Sequence, residues 1–562
     1  MGISIAYLSM EIGLESAIPT YSGGLGVLAG DTLRSAADAG ISMAGITLLS
    51  RKGYFRQRLD DNGQQFEEPV HWPVDQYLSP TEARAVVEIE DRSVAVRAWR
   101  YDICGAGGKV VPVFLLDTDV EGNSTYDRSL TDVLYGDDDY YRLCQEVVLG
   151  IGGIRILRSL GCANIERYHM NEGHSALLVL ELLAEVSRQQ GDAKTTADHI
   201  EHIRRQCVFT THTPVEAGRD RFPLDLAKRV LKTCNPFLDC TGEFCWDSEL
   251  NLTHLAMETS YYINGVAKKH REISRKLFEG YRIDSITNGV HAYTWASDAI
   301  RALFDHHIPD WRSDNASLRY AISIAHDEIR EAHQQAKHSL IEYVNKTSNV
   351  GMDPNIMTLG FARRATQYKR ATLMFSDIER LRSIARHCGP LQIVFAGKAH
   401  PRDLPGKQLI REIFSVMKSL NDDIHIVYLD DYDMNIGRLM TAGVDLWLNT
   451  PQPPMEASGT SGMKAAINGV PSLSVLDGWW IEGCIEGVTG WAIADPQQQR
   501  AVPATDHEAD ILYTKLENII VPMFYHNRDA WFDIMRNAIA INGSFFNTER
   551  MLSQYVSKAY FR

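Results

Sequence analysis

One lysine, Lys464, stands in the run "EASGTSGMKAAINGV" (residues 456–470), where almost every neighbour is small. The run turns into a short helix, and a lysine at the positive end of a helix dipole is unfavourable unless an anion or a covalent partner compensates it. Ser458, Gly459, Thr460, Ser461 and Gly462 offer space and hydrogen bonds to something bulky and phosphorylated. Pyridoxal phosphate tethered to Lys464 meets both demands; a lysine simply exposed on its helix is the plainer alternative. A second group, "FARRATQYKR", sets Arg363, Arg364, Lys369 and Arg370 just past a strand ending near Phe361. Arginine grips oxygens bidentately and lysine acts as a point charge, so the cluster suits phosphate groups, with a solvated basic turn as the other reading. In "TYSGGLGVLAGDTL" (20–33) the glycine run ends where a helix begins, and bare N–H groups there make an anion site. Alone, that motif reads equally well as a tight turn. Neither a GxGxxG fingerprint nor a Walker A loop occurs.

The elements that must position these groups follow from hydrophobic pattern. From about residue 347, "IMTLGFA", "LQIVFAGKA", "IHIVYLDD", "VDLWLNT" and "PSLSVLDG" are short apolar runs with helical segments between most of them. That alternation predicts a parallel sheet covered on both faces, with ligands outside the carboxyl ends of its strands. The first 290 residues or so mix strand-like runs such as "VVPVFLLDT" (110–118) with a long helical stretch over 134–161, and read as one large α/β domain. A glycine-containing hinge, "SITNGVHAYTW" (285–295), and a polar, helix-rich stretch join the two. The tail "NTERMLSQYVSKAYF" (547–561) has the apolar period of a packed closing helix, and 189–196 and 495–510 read as surface loops.

Composition limits the function classes. A 562-residue chain that is 44% hydrophobic can bury more than one core. With a net charge of −15 and no run of basic residues, nucleic acid is not an expected partner. The nine cysteines are odd in number and contain no CxxC pair, which reads as reduced, cytoplasmic thiols rather than a disulfide framework or zinc site. The start "MGISIAYLSMEIGLES" meets Glu11 and Glu15 too early for a signal peptide, and no stretch is apolar enough to span a bilayer. "HDEIREAH" (326–333) has the wrong spacing for HExxH, so no metal is expected.

Taken in order, "SGGLG", "NEGHSALL", "TTHTPVEAG", "SITNGV", "FARRATQYKRA", "AGKAHP" and "EASGTSGMKAAINGV" resemble the α-glucan (glycogen, maltodextrin) phosphorylase family over residues 22–478. The likeness is to the short prokaryotic branch, because the chain begins almost at the first strand; control by phosphorylation or AMP is therefore not expected. The resemblance implies a GT-B architecture with two Rossmann-like domains facing a cleft. Residues 1–290 would bind glucan and phosphate; 291–562 would bind pyridoxal 5′-phosphate and end in a helix crossing back to the first domain. Substrates and products would be α-1,4-glucan or maltodextrin, inorganic phosphate and glucose 1-phosphate, and homodimers are common in the family.

Carried over by motif, Lys464 is similar to the cofactor lysine, with Arg363, Thr460, Tyr432 and Gly24 as further cofactor contacts. Arg364 and Lys369 match the groups that hold inorganic phosphate, capped by the backbone of Gly24 and Leu25. Glu456, Ser458, Gly459, Asn288 and His212 match the ring around the glucosyl hydroxyls, joined by Tyr368; Asp138 and Asp139 fall on the mobile gate. Lys464, Arg364, Lys369 and His212 would form the catalytic set. Taken singly, His212 reads as a turn histidine and Asn288 as a turn cap. The family chemistry implies a proton relayed between cofactor phosphate and substrate phosphate, which then protonates the glycosidic oxygen and attacks the sugar with retention. Two unit charges 4 Å apart repel by about 4 kcal/mol at an effective dielectric of 20, so such a site needs several cations. Departures occur at Thr366, where the long branch has histidine, and at Asp433, where it has arginine; "TSGM" and "DGWWIEG" also differ from that branch. A nucleotide-sugar-dependent glucan synthase of the same architecture, or a non-catalytic glycan-binding relative, are the rival readings.

Overall fold

The five apolar runs after residue 347 are strands because every residue in four of them is buried, leaving only backbone hydrogen bonding to satisfy. They lie in a six-stranded parallel sheet ordered His425–Leu429, Leu391–Ala396, Met357–Ala362, Leu446–Asn449, Ser472–Val475 and Gly490–Ile493. Numbered along the chain this order is 3-2-1-4-5-6, the doubly wound arrangement whose ligand crevice opens where the order reverses. The reversal lies between Met357–Ala362 and Leu446–Asn449. The computed structural model describes residues 2–561 except 137, 192–195, 214–219, 233–244, 247, 349 and 495–504.

Two compact units emerge, one of residues 1–55, 69–287 and 551–562, the other of residues 56–68 and 288–550. The first is built on a nine-stranded sheet. Seven strands are parallel, in the order Ile283–Ser285, Tyr262–Gly265, Cys207–Thr210, Arg167–Asn171, Ile5–Leu8, Met43–Leu48 and Val110–Asp117. The long strands Arg92–Cys104 and Ser79–Ile89 extend it in antiparallel fashion. Its parallel part also reverses order, between Ile5–Leu8 and Arg167–Asn171. The closing segment belongs to this unit: Met551, Leu552, Tyr555, Ala559 and Tyr560 are buried in its core, and the Tyr560 hydroxyl lies 2.7 Å from His169 Nδ1.

Three local details differ from the sequence expectation. The 134–161 stretch is not one helix: it begins only at Asp139, passes through a wide turn at Val148–Gly152 and resumes at Gly153–Ser159. The Tyr141 ring packs directly on Gly136, where a Cβ would come within 1.9 Å of it. Residues 505–510, read as loop, open the helix Thr505–Lys515. The hairpin Arg56–Leu59/Gln65–Glu68 sits within the sequence of the first unit but packs in the second. Its buried Gln57 exchanges hydrogen bonds with Asp431 at 3.0 Å in both directions, and Gln65 bonds the backbone of Ala399 as donor and acceptor. Among the described residues no helix is long and apolar enough to cross a membrane.

Candidate active site

Each doubly wound sheet places polar groups at the carboxyl end of its reversal point. In the second unit, Arg363 directly follows Met357–Ala362, and the loop after Leu446–Asn449 carries Glu456. Glu456 is buried and accepts hydrogen bonds from Lys369 Nζ at 2.6 Å and from Arg363 Nη2. Burial alone would raise its pKa, but the Arg363 and Lys369 charges outweigh that and hold it down at about 2. One carboxylate thus faces two cations and leaves the trio with one net positive charge, and Arg363 Nη1 is buried with no acceptor. The Tyr368 ring lies 4.4 Å from Lys369 Nζ. Arg364, next in sequence, is exposed. Arg363 is fixed from behind by Gly397, where a Cβ would come within 1.9 Å of the Arg363 carbonyl oxygen.

The loop over 456–460 is set by backbone pairing to the next strand end. Asp477 accepts from the Glu456 N–H at 2.8 Å, and Trp479 N–H donates to the Ser458 carbonyl at 2.9 Å. Burial, with Glu456 nearby, pushes the Asp477 carboxyl up to about 6. Gly459 adopts a φ of +77°, which favours glycine there. Thr460 precedes the helix Ser461–Ile467, and its hydroxyl makes no cap bond. Lys464 is buried in the last turn of that seven-residue helix rather than at its positive start, its Nζ 3.4 Å from the centre of the Trp295 ring. A cation over a desolvated indole is favourable by up to about 2 kcal/mol. Asn468 locks this arrangement: its Nδ2 donates to the carbonyls of Trp295 and Lys464, both at 2.9 Å, and its Oδ1 accepts from Ser297 N–H.

The departures from the long-branch pattern acquire physical reasons here. A Cβ at Gly462 would meet the Trp479 ring at 2.8 Å, so "TSGM" and the tryptophan of "DGWWIEG" go together. Asp433 caps the helix Met434–Gly443 by accepting from Ile436 N–H at 2.8 Å. The Thr366 hydroxyl is buried without a partner, and nothing in the structure explains it. Tyr432 packs on the apolar cluster containing Ile436 and Met440, and burial raises its phenol pKa. Asn288 is buried, and its Oδ1 has no partner.

In the first unit, the corresponding reversal point gathers Ser9 and Glu11 after Ile5–Leu8, and Asn171 and Glu172 at the end of Arg167–Asn171. Glu11 is buried; it accepts from Ser22 N–H at 2.6 Å, Gly23 N–H at 3.1 Å and the Tyr135 hydroxyl at 2.7 Å. These bonds pin the glycine turn, and a Cβ at Gly26 would lie 2.7 Å from Glu11 Oε2. The helix Gly24–Asp38 begins directly after, so the N–H groups of Gly24 and Leu25 lack intrahelical acceptors, and a Cβ on Gly24 would meet only open space. His212 N–H donates to Glu172 Oε2 at 2.7 Å, and its Nε2 lies 2.6 Å from Asn171 Oδ1. Burial, then the nearby His270, His169 and His174, lowers the His212 imidazole to about 3, so it is neutral near pH 7. Its Nε2 therefore donates to Asn171, whose Nδ2 donates to Ser9 Oγ at 3.1 Å, which donates to the Glu11 carbonyl at 2.8 Å. One directed chain of hydrogen bonds thus links His212 to the residue that shapes the glycine turn.

Asp138 caps the helix Asp139–Val147 by accepting from Tyr141 N–H at 2.7 Å, and both aspartates are exposed. Residues 214–218 of "TTHTPVEAG" lie outside the described residues. Sequence reasoning missed Glu11, Trp295, Asn468 and Asp477, and it left Asn171 and Glu172 without roles inside a quoted motif. A lone acid after an apolar strand, as in "AYLSMEIG" and "SLSVLDG", was the available signal for Glu11 and Asp477; none marked Trp295. The second unit's groups, a buried lysine amine with an unmatched guanidinium N–H on a neighbouring loop, fit a cofactor carrying an aldehyde and a phosphate.

The family described as carbohydrate phosphorylase matches residues 244–489. The maltodextrin phosphorylase of Thermococcus litoralis is 39% identical over 599 residues, covering 99% of this chain and 70% of that protein. The glycogen phosphorylase of Aquifex aeolicus is 34% identical, covering 99% of this chain and 86% of the relative. That of Mycobacterium tuberculosis is 34% identical, with coverage of 99% and 70%.

Proposed function

The chain belongs to the carbohydrate phosphorylase family, and from that membership and the site geometry we propose that it cleaves α-1,4-glucans at the non-reducing end. The glucan is glycogen, starch or maltodextrin, the attacking group is inorganic phosphate, and the product is α-D-glucose 1-phosphate with retained configuration. The observation that carries this reading is the buried Arg363–Glu456–Lys369 group with its unmatched Arg363 Nη1, one loop away from the buried Lys464.

Pyridoxal 5′-phosphate suits these residues: Lys464 offers the amine for its aldehyde and Arg363 a donor for its phosphate, with Thr460, Tyr432 and Gly24 as further contacts. When bound, it supplies a phosphoryl group that holds and returns a proton beside the phosphate substrate. Arg364 and Lys369 bind and orient inorganic phosphate, and their charge offsets a repulsion of about 4 kcal/mol for each pair of unit charges at 4 Å. The first-turn N–H groups at Gly24 and Leu25 add neutral donors to an anion. Glu456, Ser458, Gly459, Asn288 and Tyr368 orient the glucosyl hydroxyls. Because Glu456 is held ionised, it accepts hydrogen bonds and does not deliver a proton. His212 is neutral with Nε2 engaged, so it presents Nδ1 as an acceptor and acts by binding. Asp138 and Asp139 gate access to the glucan. No protein carboxylate has to serve as acid or nucleophile, unlike the paired carboxylates of glycosidases. The reduced thiols implied by the cysteine pattern suit the cytoplasm.

The test is spectroscopic and chemical. Purified holoprotein should absorb as a pyridoxal–lysine adduct, and borohydride should bleach the band and leave a reduced label on the peptide containing Lys464. A protein without the band, or with its label elsewhere, overturns the reading and returns the choice to a nucleotide-sugar-dependent synthase.

A further inference from the structure

We propose that His306, His307 and Glu328 form a binding site for a divalent zinc-type cation. His306 and His307 are the last two residues of the helix Asp298–His307, and Glu328 lies in the first turn of the helix His326–Ser348. His307 Nε2 is 2.8 Å from Glu328 Oε1, and the two imidazole rings are perpendicular with centres 4.6 Å apart. One ligand atom from each residue lies within 4.8 Å of the others, and among the described residues no other His, Cys, Asp or Glu set of three does so.

Metal–ligand bonds of about 2.0–2.2 Å in a tetrahedron put ligand atoms roughly 3.4 Å apart, so the His307–Glu328 pair has to open by about 0.6 Å and the longer separations to close by at most about 1.4 Å. His306 is exposed and the other two are half-buried, which leaves that movement to side-chain rotation. Two imidazoles and one carboxylate select zinc, nickel or copper over magnesium and calcium, which take oxygen ligands. Three protein ligands leave the fourth position to water. The end of a helix carries partial negative charge on its last carbonyls, which favours a cation beside His306 and His307. The cation would replace the hydrogen shared by His307 and Glu328 and fasten the two helices at this point. Motif spacing missed the site because its ligands come from two helices, 21 residues apart between His307 and Glu328.

The test is calorimetric titration of untagged, chelator-treated holoprotein with Zn²⁺, and Co²⁺ absorption as a report of coordination geometry. The wild type should bind one equivalent that both Glu328→Gln and His306→Gln weaken at least about tenfold, with phosphorolysis unchanged in both variants and no competition from Mg²⁺. The bound Zn²⁺ should raise the wild-type melting temperature and leave that of Glu328→Gln unchanged. Equal Zn²⁺ affinity in all three proteins, or no saturable site in the wild type, overturns the proposal.

Discussion

Replacing Glu456 by glutamine keeps the side-chain volume and removes the one negative charge paired with both Arg363 and Lys369. At the 2.6 Å separation from Lys369 Nζ, a unit charge pair at an effective dielectric of 20 attracts by about 6 kcal/mol before desolvation is counted. Breaking a buried pair by removing one partner costs about 3–5 kcal/mol, because the remaining charge stays out of water. Glutamine therefore should lower the melting temperature of the holoprotein by roughly 10 °C, given the size of the second unit. Its second consequence has the opposite sign. Two cations without a protein counter-charge should hold an anion more tightly, and recovering about 2 kcal/mol corresponds to roughly thirtyfold stronger phosphate binding. Melting curves across a phosphate titration measure both effects: the variant should start lower and gain more from phosphate than the wild type. Calorimetry with phosphate gives the affinity ratio directly. Equal phosphate-dependent shifts in the two proteins would refute the idea that Glu456 competes with an anion for these cations.

Acid should expose the same group. Glu456 is held at about 2, below its ordinary 4.5, so its contribution is complete above pH 4.5 and is lost as pH falls from there towards 2. At 1.36 kcal/mol per pH unit this amounts to about 3 kcal/mol, and denaturant melts at stepped pH should show the loss in the wild type and not in Glu456→Gln. Asn468→Ala removes bonds to Trp295, Lys464 and Ser297 and should cost about 3 kcal/mol, with faster loss of the cofactor band on dilution. Gly462→Ala should destabilise by about 1–3 kcal/mol through its clash with Trp479, and Trp479→Leu should relieve most of that cost in a double-mutant cycle. Glu11→Gln leaves Ser22, Gly23 and Tyr135 with a poorer acceptor and should cost about 1–3 kcal/mol, with a raised KM for phosphate and a smaller change in kcat.

The doubly wound sheet of the second unit was legible because its strands are buried on both faces and so lack any polar alternation. "GWAI" was not singled out as its sixth strand, since four residues beside an unpatterned stretch carry little periodic signal. Arg363 and Lys369 could be read as strand-end cations, but their common partner Glu456 lies 93 and 87 residues away, a pairing only the fold creates. The same holds for Lys464 and Trp295, where one residue supplies charge and the other a ring from a distant helix. The hairpin 56–68 was illegible because its defining groups, Gln57 and Gln65, look like ordinary surface amides until the loops they bond are in place. Asp138 shows the reverse case: the contact observed for a residue singled out for a gate is the plain one of a helix cap.

On this account Lys464 and the Arg363 and Lys369 cations serve phosphorolysis. The most direct measurement is glucose 1-phosphate released by the holoprotein from maltodextrin in inorganic phosphate, compared with Lys464→Ala. We expect steady production by the wild type, none without phosphate, and none from the variant at a stability within about 2 kcal/mol of wild type. Wild-type protein that yields no glucose 1-phosphate, or a variant that yields it at the wild-type rate, would contradict the account.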